Sequence, residues 1–257
     1  MKKKLLALLM SVGMVFGITA FSGCDAITDT FDVMLENEEL KLENDLLKEE
    51  NEDLKVELAS LRFELAFPNG LITESCILNN VNIVRDAVNA EGSVYAVRAD
   101  GEGVEITING GYYDAGSGSL YNIAVWAHHG SKVIINAGEF ITGDDVNGEA
   151  NHCIYAAGGS IIEITGGLFK STGKTDWLLN CQDNNGTIVI TGGTFVGFNP
   201  ADCISEGEHT SFVAEGYEVT IEEIDGINYY TVVKSIEEVE STPDSTDETE
   251  QESPSEF

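Results

Sequence analysis

Ile106-Thr107-Ile108-Asn109-Gly110-Gly111-Tyr112-Tyr113 decides the fold, because the chain writes it again three times. The copies are Val133-Ile134-Ile135-Asn136-Ala137-Gly138-Glu139-Phe140, Ile162-Glu163-Ile164-Thr165-Gly166-Gly167-Leu168-Phe169 and Ile188-Val189-Ile190-Thr191-Gly192-Gly193-Thr194-Phe195. The second glycine recurs after 27, 29 and 26 residues. Alternating β-branched residues, a diglycine and an aromatic predict a short strand, a sharp bend and an inward ring. A second apolar stretch lies between copies: Val94 to Val97, Ile123 to Trp126, Cys153 to Tyr155 and Trp177 to Leu179. Two or three short strands at such a period predict a coil that stacks on itself, since one coil cannot bury its apolar face alone. Isoleucines at equivalent positions should then form one ladder and the aromatics another.

This pattern resembles the right-handed, single-stranded parallel β-helix of pectate-lyase-like proteins and of many bacterial and phage surface proteins. The resemblance implies an all-β head of about five short rungs over residues 71–234. Leu71 to Arg85 reads as a degenerate first rung or N-terminal cap. At the other end, Asp225-Gly226 between two alternating runs predicts a β-hairpin, read as a C-terminal cap over the last rung.

Ahead of the head, a heptad runs unbroken from Val33 to Leu65. Position d holds Val33, Leu40, Leu47, Leu54 and Leu61, and position a holds Asn37, Asn44, Asn51, Leu58 and Leu65. Glutamates at g and Lys or Arg at e would pair Glu43 with Lys48, Glu50 with Lys55 and Glu57 with Arg62 across parallel strands, whereas antiparallel strands would oppose like charges. Residues 32–67 are therefore expected to be a long parallel α-helical coiled coil, with buried asparagines favouring a homodimer and a trimer left open. Phe67-Pro68-Asn69-Gly70 should end it.

The N-terminus supplies an address. Lys2, Lys3 and Lys4 precede an apolar run from Leu5 to Phe21, then Ser22-Gly23-Cys24, the pattern of a secretory signal over residues 1–23. Its end resembles the lipobox of bacterial lipoproteins, with Phe21 in place of the usual aliphatic residue. That resemblance implies acylation of Cys24, a tether over residues 24–31, and a mature chain held by lipid on the extracytoplasmic face of the cell membrane. Residues 235–257 carry no Lys or Arg and read as a disordered acidic tail.

Charge and composition narrow the functions. Asp+Glu 45 against Lys+Arg 13 gives a net charge of -32, which excludes the basic surface a nucleic-acid partner requires. With Cys24 acylated, Cys76, Cys153, Cys181 and Cys203 remain, without zinc spacing, and read as buried free thiols, although four cysteines permit three pairings. No cofactor and no metal is expected.

Proteins of the resembled fold often process polysaccharides, which makes their catalytic groups the first candidates in the head. Asp144-Asp145 resembles the adjacent aspartates of polygalacturonases, but the companion Asn-Thr-Asp, Gly-His-Gly and Arg-x-Lys segments are absent. Between Gly101 and Val233 the cations are Lys132, Lys170 and Lys174, none in a lyase-like motif. No residue is therefore assigned a catalytic role. Trp126, His128, His129, Asp144 and Asp145 are the candidate ligand-binding residues. Neighbouring histidines on a strand point to opposite faces, so His128 and His129 could share a ligand only if Gly130 makes a turn, and they read as solvated turn residues. Tyr112, Tyr121, Trp126 and Trp177 could stack on sugar rings, and Asp183 to Gly186 reads as a turn without regular calcium-ligand spacing. The expected function is a lipid-anchored, oligomeric, non-catalytic surface protein that binds a polysaccharide or another surface, with a polysaccharide lyase or hydrolase and a structural spacer as alternatives.

Overall fold

The computed structural model describes residues 25–182 and 184–236, with side chains from Glu36 onward. The signal segment, Cys24, Asp183 and the tail beyond residue 236 lie outside the described residues. The chain divides into two compact units, Met1–Lys55 and Val56–Phe257.

Helix α1 spans Asp25–Ala66 and takes in the stretch read as a tether. In the first unit its leucines lack cover: Leu40, Leu47 and Leu54 are exposed by 55%, 52% and 55%. Lys48 and Lys55 pair within the helix with Asp45 (3.2 Å) and Glu52 (2.6 Å), three residues back. Such exposed pairs contribute only a few tenths of a kcal/mol each. Asn51 Nδ2 donates to the Leu47 carbonyl at 3.1 Å.

In the second unit, the last turns of α1 pack on the first coil of the head. Residues four apart share a helix face, so Ala59, Phe63 and Phe67 turn together toward the core while Leu58, Leu61 and Leu65 stay exposed. Phe63 is 4% exposed and meets the Phe67 ring at 5.4 Å. The Asn82 N–H donates to Ser60 Oγ at 2.9 Å, and Arg85 pairs with Glu64 at 2.7 Å. Capping of this edge thus falls to the helix, and Leu71 to Arg85 forms a paired coil beneath it. Pro68–Gly70 makes a single helical turn, with Asn69 left-handed at φ 66°, and ends α1 as the sequence predicts.

The head winds as a parallel β-solenoid of about four turns. The first layer holds β1 (Leu71–Ile72), β2 (Cys76–Leu78) and β3 (Val81–Val84), followed by β4 (Ser93–Asp100) with β5 (Glu105–Asp114) and β6 (Tyr121–His128) with β7 (Lys132–Thr142). Next come β8 (Ile154–Ala156), β9 (Ile161–Ile164) and β10 (Leu168–Ser171), then β11 (Leu179–Asn180), β12 (Thr187–Ile190) and β13 (Thr194–Val196). One sheet stacks β1, β4, β6, β8 and β11; the other carries the repeated motif.

Both expected ladders are present. Ile106, Val133, Ile162 and Ile188 lie in register, as do Ile108, Ile135, Ile164 and Ile190, all buried. Tyr113, Phe140, Phe169 and Phe195 stack at 5.1, 5.0 and 4.8 Å between centroids, near the natural strand spacing, so the backbone ladder itself sets ring contact. Asn79, Asn109 and Asn136 form a side-chain amide ladder beside the bend, at 3.0 and 2.8 Å. The diglycine has a steric cause. At Gly111, φ is +112° and a Cβ would lie 2.1 Å from the Val81 carbonyl oxygen of the coil before.

After the last coil, β14 (Tyr217–Ile224) and β15 (Ile227–Lys234) form the predicted hairpin through Asp225-Gly226. Strand β15 pairs antiparallel with β13, so the hairpin ends the parallel stacking by extending one sheet. Cys76, Cys153, Cys181 and Cys203 are free thiols; Cys153 and Cys181 are buried as the sequence reading expects, whereas Cys76 and Cys203 are only half-buried. Burial pushes the Cys181 thiol up to about 12 and Cys153 up as well, so both stay protonated and pack as small apolar groups.

Candidate ligand-binding face

Three short segments build a face on the sheet containing β4, β6 and β8: Arg98-Ala99-Asp100, Trp126-Ala127-His128 and Tyr155-Ala156-Ala157. Pairing places Arg98 beside Trp126 and Trp126 beside Tyr155, with Asp100 beside His128. Strand alternation sends the central alanines inward, where all three are fully buried, and leaves the flanking side chains on the other side. Aromatic rings run across that side. Tyr121 meets His152 at 6.1 Å, His152 meets Tyr155 at 5.0 Å, and Tyr155 meets Trp126 at 5.8 Å. Tyr95 closes the row edge-on to Trp126 at 5.8 Å, and Tyr121 is 45% exposed.

A polar cluster ends the row. The Arg98 guanidinium lies 4.0 Å from the Trp126 ring centre, a cation–π distance, and donates to Asp100 Oδ2. Asp100 Oδ1 lies 2.6 Å from His129 Nδ1, and Arg98 lies 3.4 Å from His128 Nδ1. Burial raises the Asp100 carboxyl, but the His129 hydrogen bond and the Arg98 charge outweigh it and leave the group below the ordinary carboxylate range. Burial, then the His129 and Arg98 charges, hold His128 below the ordinary imidazole value, so it is neutral at pH 7. His152 is lowered by burial despite its contact with the Trp177 carbonyl at 3.3 Å.

The turn that His128 and His129 need in order to share a side is present. Strand β6 ends at His128, and His129 (φ 55°) with Gly130 (φ 76°) turns the chain. The two imidazoles end 3.7 Å apart on one side. Asp100, His128 and His129 each offer a ligand atom, all within 4.8 Å of one another.

Asp144 and Asp145 stay apart from this cluster. The Asp144 carbonyl accepts from Asn122 at the start of β6, whereas His128 is at its end, about 20 Å away along an eight-residue strand. Both carboxylates organise turns. Asp144 Oδ1 accepts from the Lys174 N–H at 2.7 Å, and Asp145 Oδ1 from the Asn147 and Glu149 N–H groups at 2.7 and 2.9 Å. Tyr112 lies on the other sheet, 3.4 Å from Asp114. Sequence reasoning missed Tyr95, Arg98, Asp100 and Tyr155; aligning the three x-Ala-x segments coil on coil would have found the last three.

Comparison of the chain with family models, curated proteins and solved structures returned no match. Among the described residues, no helix is long and apolar enough to cross a membrane.

Proposed function

We propose that the protein is a lipid-anchored, oligomeric cell-surface protein whose non-catalytic head binds a glycan along the row Tyr121, His152, Tyr155, Trp126 and Tyr95. The carrying observation is that row: ring centroids spaced 5.0 to 6.1 Å apart within and across adjacent coils, with Arg98 and Asp100 at its end. Sugar rings stack on aromatic faces and leave their hydroxyls for charged partners, the two chemistries this face places together.

The rest of the reading rests on sequence. Acylated Cys24 holds the chain to the membrane on the extracytoplasmic side. Asn37, Leu40, Asn44, Leu47, Asn51, Leu54, Leu58, Leu61 and Leu65 form the seam of a parallel coiled coil, a dimer in preference to a trimer. The exposure of its leucines in a single chain supports this. The solenoid is right-handed, the sense favoured for parallel crossovers. Several weak sites on one stalk bind a polyvalent surface far more tightly than one.

The test applies the full-length chain in detergent to immobilised plant, host and bacterial polysaccharides, following retention and newly released sugar ends together. Retention without release is expected, weakened about tenfold by Trp126→Ala or Tyr155→Ala, which corresponds to ~1.4 kcal/mol. Released sugar ends would make the protein an enzyme, and absence of both signals would leave a spacer.

A further inference from the structure

We propose that Asp100, His128 and His129 form a binding site for a divalent transition-metal ion of the zinc, nickel or copper class. This site shares Asp100 with the end of the proposed glycan row but does not require that a glycan binds. Their ligand atoms gather within 4.8 Å, and two imidazoles with one carboxylate are the donors that such ions prefer, whereas calcium and magnesium take oxygen alone. Three protein ligands leave a coordination position open, as in zinc sites that bind water or an anion.

The backbone around the cluster departs from the repeat in the way a site requires. Where this coil has His129 at φ 55°, the flanking coils have Gly101 (φ 127°) and Gly158 (φ 61°). A histidine in the left-handed region is strained where the same chain twice uses glycine, and such strain concentrates at functional positions. The bend is what brings His129 beside His128. Gly158 leaves the space, because a Cβ there would lie 3.0 Å from the His129 nitrogen and 3.4 Å from His128 Cδ2.

Arg98 divides the carboxylate. It donates to Asp100 Oδ2 and leaves Oδ1 toward His129, in the way ligating carboxylates are commonly oriented by a second hydrogen bond. The same guanidinium offsets the Asp100 charge, so binding rests largely on the imidazoles, with Kd on the order of micromolar rather than the much tighter range of closed structural zinc sites.

Cobalt(II) and zinc(II) are titrated into the untagged full-length chain in detergent, with excess calcium and magnesium occupying the acidic surface. Visible absorption follows cobalt, and zinc displaces it. One saturable equivalent per chain is expected, weakened tenfold or more by His128→Gln or Asp100→Asn. His129→Gly is the second variant, because the flanking coils show that glycine fits there. It should move the metal-free unfolding midpoint little, because relief of the left-handed backbone offsets the lost Asp100 hydrogen bond, and still lose the cobalt signal. No saturable equivalent in the wild type, or equal cobalt affinity in wild type, His128→Gln and His129→Gly, would overturn the site.

Discussion

Replacing Phe169 tests whether stacked coils stabilise one another through ring contact. Phe169 is fully buried, with Phe140 5.0 Å away on one side and Phe195 4.8 Å on the other. Phe169→Ala removes the ring and leaves a cavity, at a cost of about 3–5 kcal/mol. Phe169→Leu keeps most of the apolar volume and isolates the stacking, about 0.5–1.5 kcal/mol for each ring neighbour and so roughly 1–3 for two. Phe195 stacks on one ring among the described residues, so Phe195→Leu should cost about half as much. Urea unfolding can be followed by fluorescence of Trp126 and Trp177, the 2 tryptophans of the chain, both within the solenoid. With a slope of about 2 kcal/mol per molar, Phe169→Ala should lower the midpoint by roughly 2 M. Equal losses for Phe169→Leu and Phe195→Leu, or a loss below about 0.5 kcal/mol for the former, would refute nearest-neighbour stacking as the source of stability.

Three further outcomes are expected. Gly111→Ala should cost about 3 kcal/mol or more in the same urea assay, since backbone strain adds to a Cβ only 2.1 Å from the Val81 carbonyl, whereas Ala137→Gly, at the preceding motif position, should cost no more than about 1. Leu47→Asp with Leu54→Asp should yield a folded monomer by sedimentation, and a surviving oligomer would remove the coiled-coil seam from the account. Acid should weaken the head in two stages. The unfolded chain takes up protons below about pH 6.5 that folded His128 and His152, held below that value mainly by burial, do not, so stability falls there and His152→Gln should flatten the fall. The Asp100 contribution is present above about pH 4 and lost as pH drops through its lowered folded value, so wild type and Asp100→Asn should converge in strong acid.

The solenoid was legible because its information is local and repeated. Each copy states its strand, its bend and its inward ring, and stacking needs only that equivalent positions meet, as Tyr113, Phe140, Phe169 and Phe195 do. The end of α1 was less legible. Heptad spacing shows Leu58, Leu61 and Leu65, but Phe63 becomes core only when the first coil lies beneath it.

The candidate site was read in part. Trp126, His128 and His129 stood out by type and adjacency, and so did Asp144 and Asp145, yet the latter serve turns at the other end of β6. The sequence already favoured the histidine cluster, since Asp144 and Asp145 sit between the aromatic of one copy and the next glycine, where a turn is expected. Sequence alone thus determined the period, the inward ladders and the helix-ending turn, because buried positions must repeat for coils to stack. Tertiary structure decided that Arg98 lies against Trp126, that Asp100 meets His129, and that two neighbouring histidines share one side. Those residues face outward, where no packing constraint makes them recur. Their meeting depends on coil-to-coil register and on a left-handed turn, which the periodic pattern does not encode.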